Sequence, residues 1–247
     1  MNNEQNIFHH NIANYDSGWS VTEYTREEGL RTIEEELIAE FFPTAPARVL
    51  DLGCGAGRTT IGLARLGYQV TAIDLSETLL GQAQGRYPEL DFRLMDATRL
   101  EFDSASFDAV LFSYNGIDCI YPLESRCLCI GEAFRVLKPG GVFSMSSHNL
   151  IGAIFSGGYF YLTGYRNAFR HLAQQIGNRL ALEWFIKYED GGGAQYLFSA
   201  PPSHTVRQLE AAGFAMLDVR GSTGERHPGK ISRRQKHVHF TARKPGK

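Results

Sequence analysis

Apolar runs alternate with amphipathic segments between residues 48 and 149. The runs RVLDLG, YQVTAIDLS, DFRLMDA, FDAVLFSYN and VFSMSSHN predict five strands. Three helices are predicted between them, in TTIGLARLG, SETLLGQAQGRYP and LESRCLCIGEAFRVLKPGG. Ser76 is a typical N-cap, Gly67 a typical C-terminal glycine, and Pro139 with two glycines is expected to end the third helix. The alternation predicts an α/β fold with a doubly wound, mostly parallel sheet.

The alternation breaks after the fifth strand. A Gly/Tyr-rich piece and a helical piece come first, and two alternating runs around Gly191–Gly193 then predict a β-hairpin. A helix in SHTVRQLEAAGF, capped by Ser203, and strands in FAMLDVRG and KHVHFTARK would complete a seven-stranded sheet. The predicted divisions are an N-terminal segment (1–47), a core (48–149), an inserted cap (150–200) and the C-terminal part of the core sheet (201–247).

Composition and charge add few limits. The 247 residues are 43% hydrophobic and 21% charged, with a net charge of -2, which is ordinary for a globular protein. This balance gives no general reason to expect a nucleic-acid partner. We expect a cytoplasmic protein without membrane contact, because the N-terminus has no apolar signal core and no run approaches about 20 apolar residues. A monomer and a homodimer both remain open.

The cysteines and histidines do not indicate a metal site. Cys127 and Cys129 are two residues apart, which is not a zinc-ligand spacing, and no second pair follows. Without a secretory signal, all four cysteines are expected to be reduced and mostly buried. His237 and His239 alternate within a strand pattern, so their rings should share one sheet face.

A glycine-rich turn follows the first predicted strand, in VLDLGCGAGRTT. The glycines alternate at Gly53, Gly55 and Gly57, whereas a dinucleotide fingerprint needs its third glycine where this chain has Arg58. The carboxylate of Asp51 would repel a pyrophosphate and would suit a ligand with an ammonium group. The turn therefore favours a nucleotide-like ligand that carries little negative charge.

This turn and four later motifs resemble, in order and spacing, those of the class I S-adenosylmethionine-dependent methyltransferases of the UbiE-like, small-molecule type. The motifs are VLDLGCGAGRTT, VTAIDLS, LMDATRL, FDAVLFSYNGID and AFRVLKPGGVF. The resemblance implies a Rossmann-like methyltransferase fold and an enzyme that uses S-adenosylmethionine, releases S-adenosylhomocysteine and needs no metal. It is close over residues 48–149 and extends to the last helix and strands in pattern only.

The resemblance also implies a cofactor-binding role for several residues. Asp74, at the end of the second strand, would accept hydrogen bonds from both ribose hydroxyls, because a carboxylate has two oxygens. Asp96 and the Ala97 amide would face the adenine amino group. Tyr15 and Trp19 resemble a lid, or alternatively only pack on the sheet. The implied cofactor-binding residues are Tyr15, Trp19, Asp51, Gly53, Gly55, Gly57, Asp74, Leu75, Asp96, Ala97, Ser113 and Tyr114.

Methyl transfer is an in-line attack on a sulfonium methyl, so a general base is needed only for an acceptor protonated at neutral pH. His148, after the fifth strand, is the first candidate base, with a structural role as its alternative. Tyr15 is the second catalytic candidate. Candidate acceptor-binding residues follow the fourth and fifth strands or lie in the insertion and at the last helix: Asn115, Asp118, Tyr121, His148, Tyr165, Arg166, Arg170 and His204.

We predict methyl transfer to an oxygen or nitrogen of a small-molecule acceptor in a biosynthetic reaction. Residues 150–182 contain no Asp or Glu, and Arg166 or Arg170 there would hold an anionic group of the acceptor. One alternative is an RNA- or protein-directed methyltransferase, favoured by the basic segment GERHPGKISRRQKH. Another is a non-catalytic subunit that only binds the cofactor.

Overall fold

The computed structural model describes residues 3–155, 184–190, 193–228, 230–231 and 235–246. The helices are α1 (Asn3–Tyr15), α2 (Gly18–Arg26), α3 (Thr32–Phe41), α4 (Arg58–Arg65), α5 (Glu77–Arg86), α6 (Leu123–Val136), α7 (Leu150–Phe155) and α8 (Pro202–Ala211), with a 3-10 helix at Gly116–Cys119. The strands are β1 (Arg48–Leu52), β2 (Gln69–Asp74), β3 (Asp91–Leu94), β4 (Phe107–Phe112), β5 (Leu137–Asn149), β6 (Phe185–Asp190), β7 (Gly193–Ala200), β8 (Ala215–Gly221) and β9 (His237–Arg243).

The strands form the predicted mostly parallel sheet. Its order is β3–β2–β1–β4–β5, with parallel pairing throughout, and β9 and β8 continue it antiparallel beyond β5. These are the seven predicted core strands. The predicted hairpin also forms, since β6 and β7 pair antiparallel. β7 adds a short parallel pairing to the end of β5, where His148 is opposite Ser199.

Both faces of the sheet are buried. Leu50 and Leu52 of β1 pack in a cluster with Ile130 of α6, while Val49, which precedes them, packs on the other face with Ile38 of α3. Successive side chains of a strand point to opposite faces, so a strand buried on both sides is apolar almost throughout. This layering leaves the carboxyl ends of the parallel strands as the edge at which polar residues gather.

Two predicted helix ends were wrong. α6 ends at Val136, and Leu137 already belongs to β5, where it is opposite Phe107. α8 begins at Pro202 and is not capped by Ser203; a proline is well suited to a first helical turn, because its fixed φ is helical and it lacks the N–H that would be left without a partner. Ser76 caps α5 as predicted, with its Oγ accepting from the Leu79 amide.

Parts of the predicted insertion lie outside the described residues, including Tyr165, Arg166 and Arg170. In the described part of the chain, no helix combines the length and apolar character needed to cross a membrane.

Candidate active site

A cavity of about 1470 Å³ lies at the carboxyl ends of β1, β2, β4 and β5. Open α/β sheets bind their ligands at this edge. Most of the residues singled out in the sequence line this cavity: Tyr15, Trp19, Gly53, Gly55, Asp74, Leu75, Asp96, Ala97, Ser113, Tyr114, Asn115, Tyr121 and His148.

The glycine turn forms one wall of the cavity. Gly53, Gly55 and Gly57 have φ of +62°, +53° and +86°, in the left-handed region that favours glycine. A Cβ on Gly53 would lie 2.6 Å from Phe112 Cε2. Gly57 does not line the cavity: it precedes α4, and a Cβ there would press on Phe92 at 3.2 Å. Its predicted contact with the cofactor is therefore replaced by a packing role.

Asp51 lies behind the turn and does not line the cavity, contrary to its predicted direct role. Its carboxylate is fully buried, and Oδ2 accepts from the hydroxyls of Thr59 (2.6 Å) and Thr60 (2.7 Å). Burial raises the pKa of Asp51 to about 6. Within the described residues, its Oδ1 has no hydrogen-bond partner. Asp51 thus shapes the turn and keeps one free acceptor atom beside it.

Asp74 presents its carboxylate at the cavity. Oδ2 accepts the Gly55 N–H (2.7 Å) and Oδ1 accepts the Ser76 N–H (2.8 Å). Desolvation raises the pKa of Asp74, and these backbone N–H groups oppose that shift. Asp96 is held similarly, since its Oδ1 accepts from both the amide and the hydroxyl of Thr98, each at 2.8 Å. Backbone and hydroxyl donors therefore fix both carboxylates in place.

Ser113 is engaged by protein groups. Its hydroxyl donates to Oε1 of Glu34 in α3, and Arg58 Nη2 donates to Ser113 Oγ at 3.2 Å. Arg58 also binds both carboxylate oxygens of Glu34, each at 2.8 Å. The sequence indicated Arg58 only as a departure from the dinucleotide pattern, and nothing in the local pattern indicated Glu34. Ser113 is thus part of a buried charge cluster at the cavity wall.

Three tyrosines form a row along the cavity. The ring centroids of Tyr15 and Tyr24 are 5.7 Å apart, and those of Tyr24 and Tyr114 are 5.8 Å apart. The Tyr15 hydroxyl lies 2.7 Å from Cys119 Sγ, and desolvation raises the pKa of Tyr15 well above its usual value. A neutral phenol paired with a thiol is not a base at neutral pH, so the structure argues against a catalytic role for Tyr15.

His148 is oriented by Asp118. Its Nδ1 lies 2.7 Å from Asp118 Oδ2, and its backbone N–H donates to the same oxygen at 2.6 Å. Asp118 is fully buried, and its Oδ1 accepts from Arg126 Nη1 (2.8 Å) and Ser147 Oγ (2.7 Å). An imidazole that donates from Nδ1 has its lone pair on Nε2. Asp118 does not line the cavity; its predicted contact with the acceptor is replaced by contact with the candidate base.

His237 and His239 both line the cavity beside His148, on one sheet face as predicted. The rings of His148 and His237 meet edge to face at 5.1 Å. Burial lowers the pKa of His239 to about 4. Partial desolvation also lowers the pKa of His237, although its ring is accessible from the cavity. Both imidazoles are therefore neutral hydrogen-bonding groups near pH 7.

Asn115 and Tyr121 lie at the cavity as predicted, and His204 does not. Tyr114 and Asn115 are consecutive non-glycine residues with positive φ, +54° and +59°, a costly conformation that is concentrated at functional sites. Asn115 is buried, and its Oδ1 has no partner among the residues described. His204 instead packs its ring 5.6 Å from Trp184, away from the cavity.

The four cysteines are free thiols, two of them buried. Where the structure describes the chain, no three His, Cys, Asp or Glu residues are placed to hold a metal ion.

Residues 49–141 match the family described as "Methyltransferase domain". A demethylmenaquinone methyltransferase of Clavibacter sepedonicus is 39% identical over 102 residues, which are 40% of this chain and 40% of that protein. Residues 49–141 of this chain are therefore similar to a methyltransferase domain. Another relative is a ubiquinone biosynthesis O-methyltransferase of Xanthomonas axonopodis, 36% identical over 135 residues, 51% of this chain and 54% of that one.

The methyltransferase fold extends beyond the matched motifs. A solved S-adenosylmethionine-dependent methyltransferase of Methanosarcina mazei superposes with a TM-score of 0.66 at 20% identity, covering 89% of this chain and 100% of that chain. This likeness shows the fold. The chain spans about two fifths of the Clavibacter protein and about half of the Xanthomonas protein.

Proposed function

We propose that this methyltransferase transfers a methyl group from S-adenosylmethionine to an oxygen or nitrogen of a small-molecule acceptor. The observation that carries the proposal is His148, held from behind by Asp118, on the wall of the cavity that also holds the glycine turn and Asp74. A candidate base and a nucleotide-binding edge thus share one space. The cavity volume of about 1470 Å³ exceeds the range usual for a single small ligand, which supports a site for cofactor and acceptor together.

The residues at the strand ends fit the cofactor. Asp74 accepts a protein N–H at each carboxylate oxygen, and each oxygen retains acceptor capacity for a ribose hydroxyl. Asp51 would support the glycine turn from behind, with its Oδ2 held by the hydroxyls of Thr59 and Thr60. Asp96 and Ala97 would hold the adenine end, in the place that the sequence motifs assign. When bound, the cofactor supplies an electrophilic methyl group on a sulfonium.

His148 would accept the proton that an acceptor hydroxyl or amine loses on attack. Nδ1 donates to Asp118, so Nε2 is the atom that receives the proton. Asp118 would then stabilise the imidazolium that forms. A positioned general base typically contributes about 10²–10⁴-fold in rate.

We assign the acceptor to the polar wall of the cavity that β5, β7 and β9 form. Where β5, β7 and β9 are described, no Asp or Glu from them lines the cavity; the lining residues there include Ser146, Gln195, Ser199, Lys236, His237 and His239. This favours an acceptor with hydrogen-bonding groups and an anionic substituent over a cationic one. Arg166 and Arg170 remain further candidates for that substituent.

A small acceptor is also favoured by the pairing within the basic segment. Arg226 binds Glu40, and Lys230 lies 3.4 Å from Glu225. Part of the positive charge that an RNA backbone would need is therefore neutralised by carboxylates of this chain. This pairing weakens the RNA-directed alternative.

The test starts from methyl-labelled S-adenosylmethionine, the purified protein and an extract of its source cells. We expect label in the small-molecule fraction. Label in RNA or protein supports the macromolecular alternative, and cofactor binding without any transfer supports the non-catalytic one.

Once the acceptor is identified, the variant His148→Gln tests the base assignment. This variant should lower kcat about 10²-fold or more while the calorimetric Kd of the cofactor stays unchanged. His227→Gln, at an exposed histidine, is the control. An unchanged kcat in His148→Gln contradicts the base assignment.

A further inference from the structure

Arg126 is a fully buried cation next to the proposed base, on the first turns of α6. Its Nη1 donates to Asp118 Oδ1 at 2.8 Å, its Nη2 to Ser147 Oγ at 3.3 Å, and its Nε to Gln208 Oε1 at 3.2 Å. The guanidinium also lies over the ring of Phe198, 4.1 Å from its centroid. Groups on the 3-10 helix, β5, α8 and β7 therefore hold Arg126 in one orientation.

The two oxygens of Asp118 face two different side chains. Oδ1 faces Arg126 and Oδ2 faces His148. A buried carboxylate is strongly destabilising without a cationic partner. If Arg126 were absent, the only cation in contact with Asp118 in the described structure would be a protonated His148.

We propose that Arg126 is a positioning residue for methyl transfer: it neutralises Asp118, so that His148 stays unprotonated and oriented as the base. This inference rests on the proposed role of His148. A purely structural ion pair between Arg126 and Asp118 would not affect His148. The proposal instead predicts that the charge of Arg126 sets the protonation of His148, although the two side chains are not in contact.

Of the other titratable groups described near His148, none is both buried and charged near neutral pH. His237 meets the His148 ring from β9, and desolvation lowers the pKa of His237. Cys119, next to Asp118 in the chain, has its pKa raised to about 12 by burial. Lys236 precedes β9 and lines the cavity, where its side chain is exposed. Asp118 and Arg126 are thus the buried charges that act on His148.

The first experiment compares Arg126→Met with Arg135→Met in the full chain. Arg135 is on the same helix, pairs with Glu132 and does not line the cavity. The readouts are the NMR titration of the His148 ring, assigned with His148→Gln, and the kcat–pH profile. In Arg126→Met, we expect the ring titration and the acid limb of the profile to move about one unit or more to higher pH. Arg135→Met should lower Tm without either shift.

A second comparison removes the dependence on Arg126→Met folding. Asp118→Asn leaves Arg126 positive beside His148, whereas Asp118→Asn with Arg126→Met removes both buried charges, a change that is often tolerated. We expect the His148 ring to titrate at lower pH in the single variant than in the double one. The proposal is wrong if the His148 ring titrates at the same pH in the single and double variants. It is also wrong if Arg126→Met lowers Tm without moving the His148 titration.

The two proposals can fail separately. If the His148 titration responds to Arg126 but His148→Gln retains the wild-type kcat, the role of His148 in the reaction is wrong, while the charge coupling between Arg126 and His148 stands. If His148→Gln loses activity but the titration ignores Arg126, the base assignment stands and the positioning role of Arg126 is wrong.

Discussion

The carboxylate of Glu34 and the guanidinium of Arg58 form a buried two-pronged ion pair, with both N–O distances at 2.8 Å. Glu34 also accepts the backbone N–H of Arg31 at 2.7 Å. Burial alone would raise the pKa of Glu34, but hydrogen bonding and charge from Arg58 bring that pKa below its usual value. The pair joins α3 to the start of α4, directly after the glycine turn.

Glu34→Gln should destabilise the fold in a pH-dependent way. The pKa of Glu34 is lower in the folded state, so the stabilisation is present above its unfolded value near pH 4 and is lost as pH falls through the folded value. We expect a loss of about 3 kcal/mol at pH 7, shrinking towards zero in acid. Urea unfolding at several pH values measures this, with the exposed Glu35→Gln as control. An equal loss at all pH values contradicts the charge pair.

Asp51→Asn should show the opposite dependence. Burial raises the pKa of Asp51 to about 6, so its contribution to stability is full below about pH 4 and is lost as pH rises through 6. The stability of Asp51→Asn relative to wild type should therefore increase by up to about 3 kcal/mol from pH 4 to pH 7. Denaturant unfolding without cofactor tests this. A relative stability that is constant with pH would show that folding does not raise the pKa of Asp51.

Asp74→Ala should weaken S-adenosylmethionine binding about tenfold or more, because hydrogen bonds to a charged acceptor are lost. The measurement is the Kd by isothermal titration calorimetry. Asp91→Ala is the matched control, since Asp91 is an exposed aspartate at the start of the neighbouring β3 and pairs with Arg93. An unchanged Kd for Asp74→Ala refutes the ribose assignment.

Asn11→Ala should release α1 from the hairpin. The Asn11 amide donates to the carbonyls of Cys119 (3.0 Å) and Tyr196 (2.9 Å) and accepts the Tyr196 N–H (2.9 Å). Losing these partners leaves buried backbone groups unsatisfied, which typically costs about 1–3 kcal/mol. Hydrogen exchange should become faster in α1 and at Tyr196. The control is Thr22→Ala, on the exposed side of α2, which should leave hydrogen exchange in α1 and at Tyr196 unchanged. Unchanged exchange in Asn11→Ala as well would show that the Asn11 hydrogen bonds do not hold α1 on the hairpin.

Local signals were enough to predict the core. The N-cap at Ser76, the glycine turn at Gly53 and the strand ends at Asp74 and His148 each depend on a few adjacent residues, and the structure places all of them as expected. The parallel sheet follows from the alternation of elements, while the strand order itself is seen only in the structure. The sequence therefore predicts the sheet and the cofactor edge together.

Partners that meet only in the folded chain could not be predicted. Asp118 follows a strand, so it was expected at the cavity, but a strand-end position does not reveal that Arg126 and His148 take both its oxygens. His204 was expected at the pocket, yet Trp184, which precedes the hairpin of the insertion, packs against its ring. The position of the insertion depends on long-range contacts that leave no periodic pattern.

The register at His148 has a consequence for redesign and for divergence among relatives. His148 is opposite His237 of β9 on one side and opposite Ser199 of β7 on the other, so it is embedded within the sheet. Among the described residues, the hairpin pairs with β5 at two positions, the last two residues of that strand. We therefore expect an exchange of the insertion to alter which molecules enter while leaving the proposed proton acceptor in place. On the proposed function, acceptor range and chemistry would be separable modules, and selection could act on one without rebuilding the other.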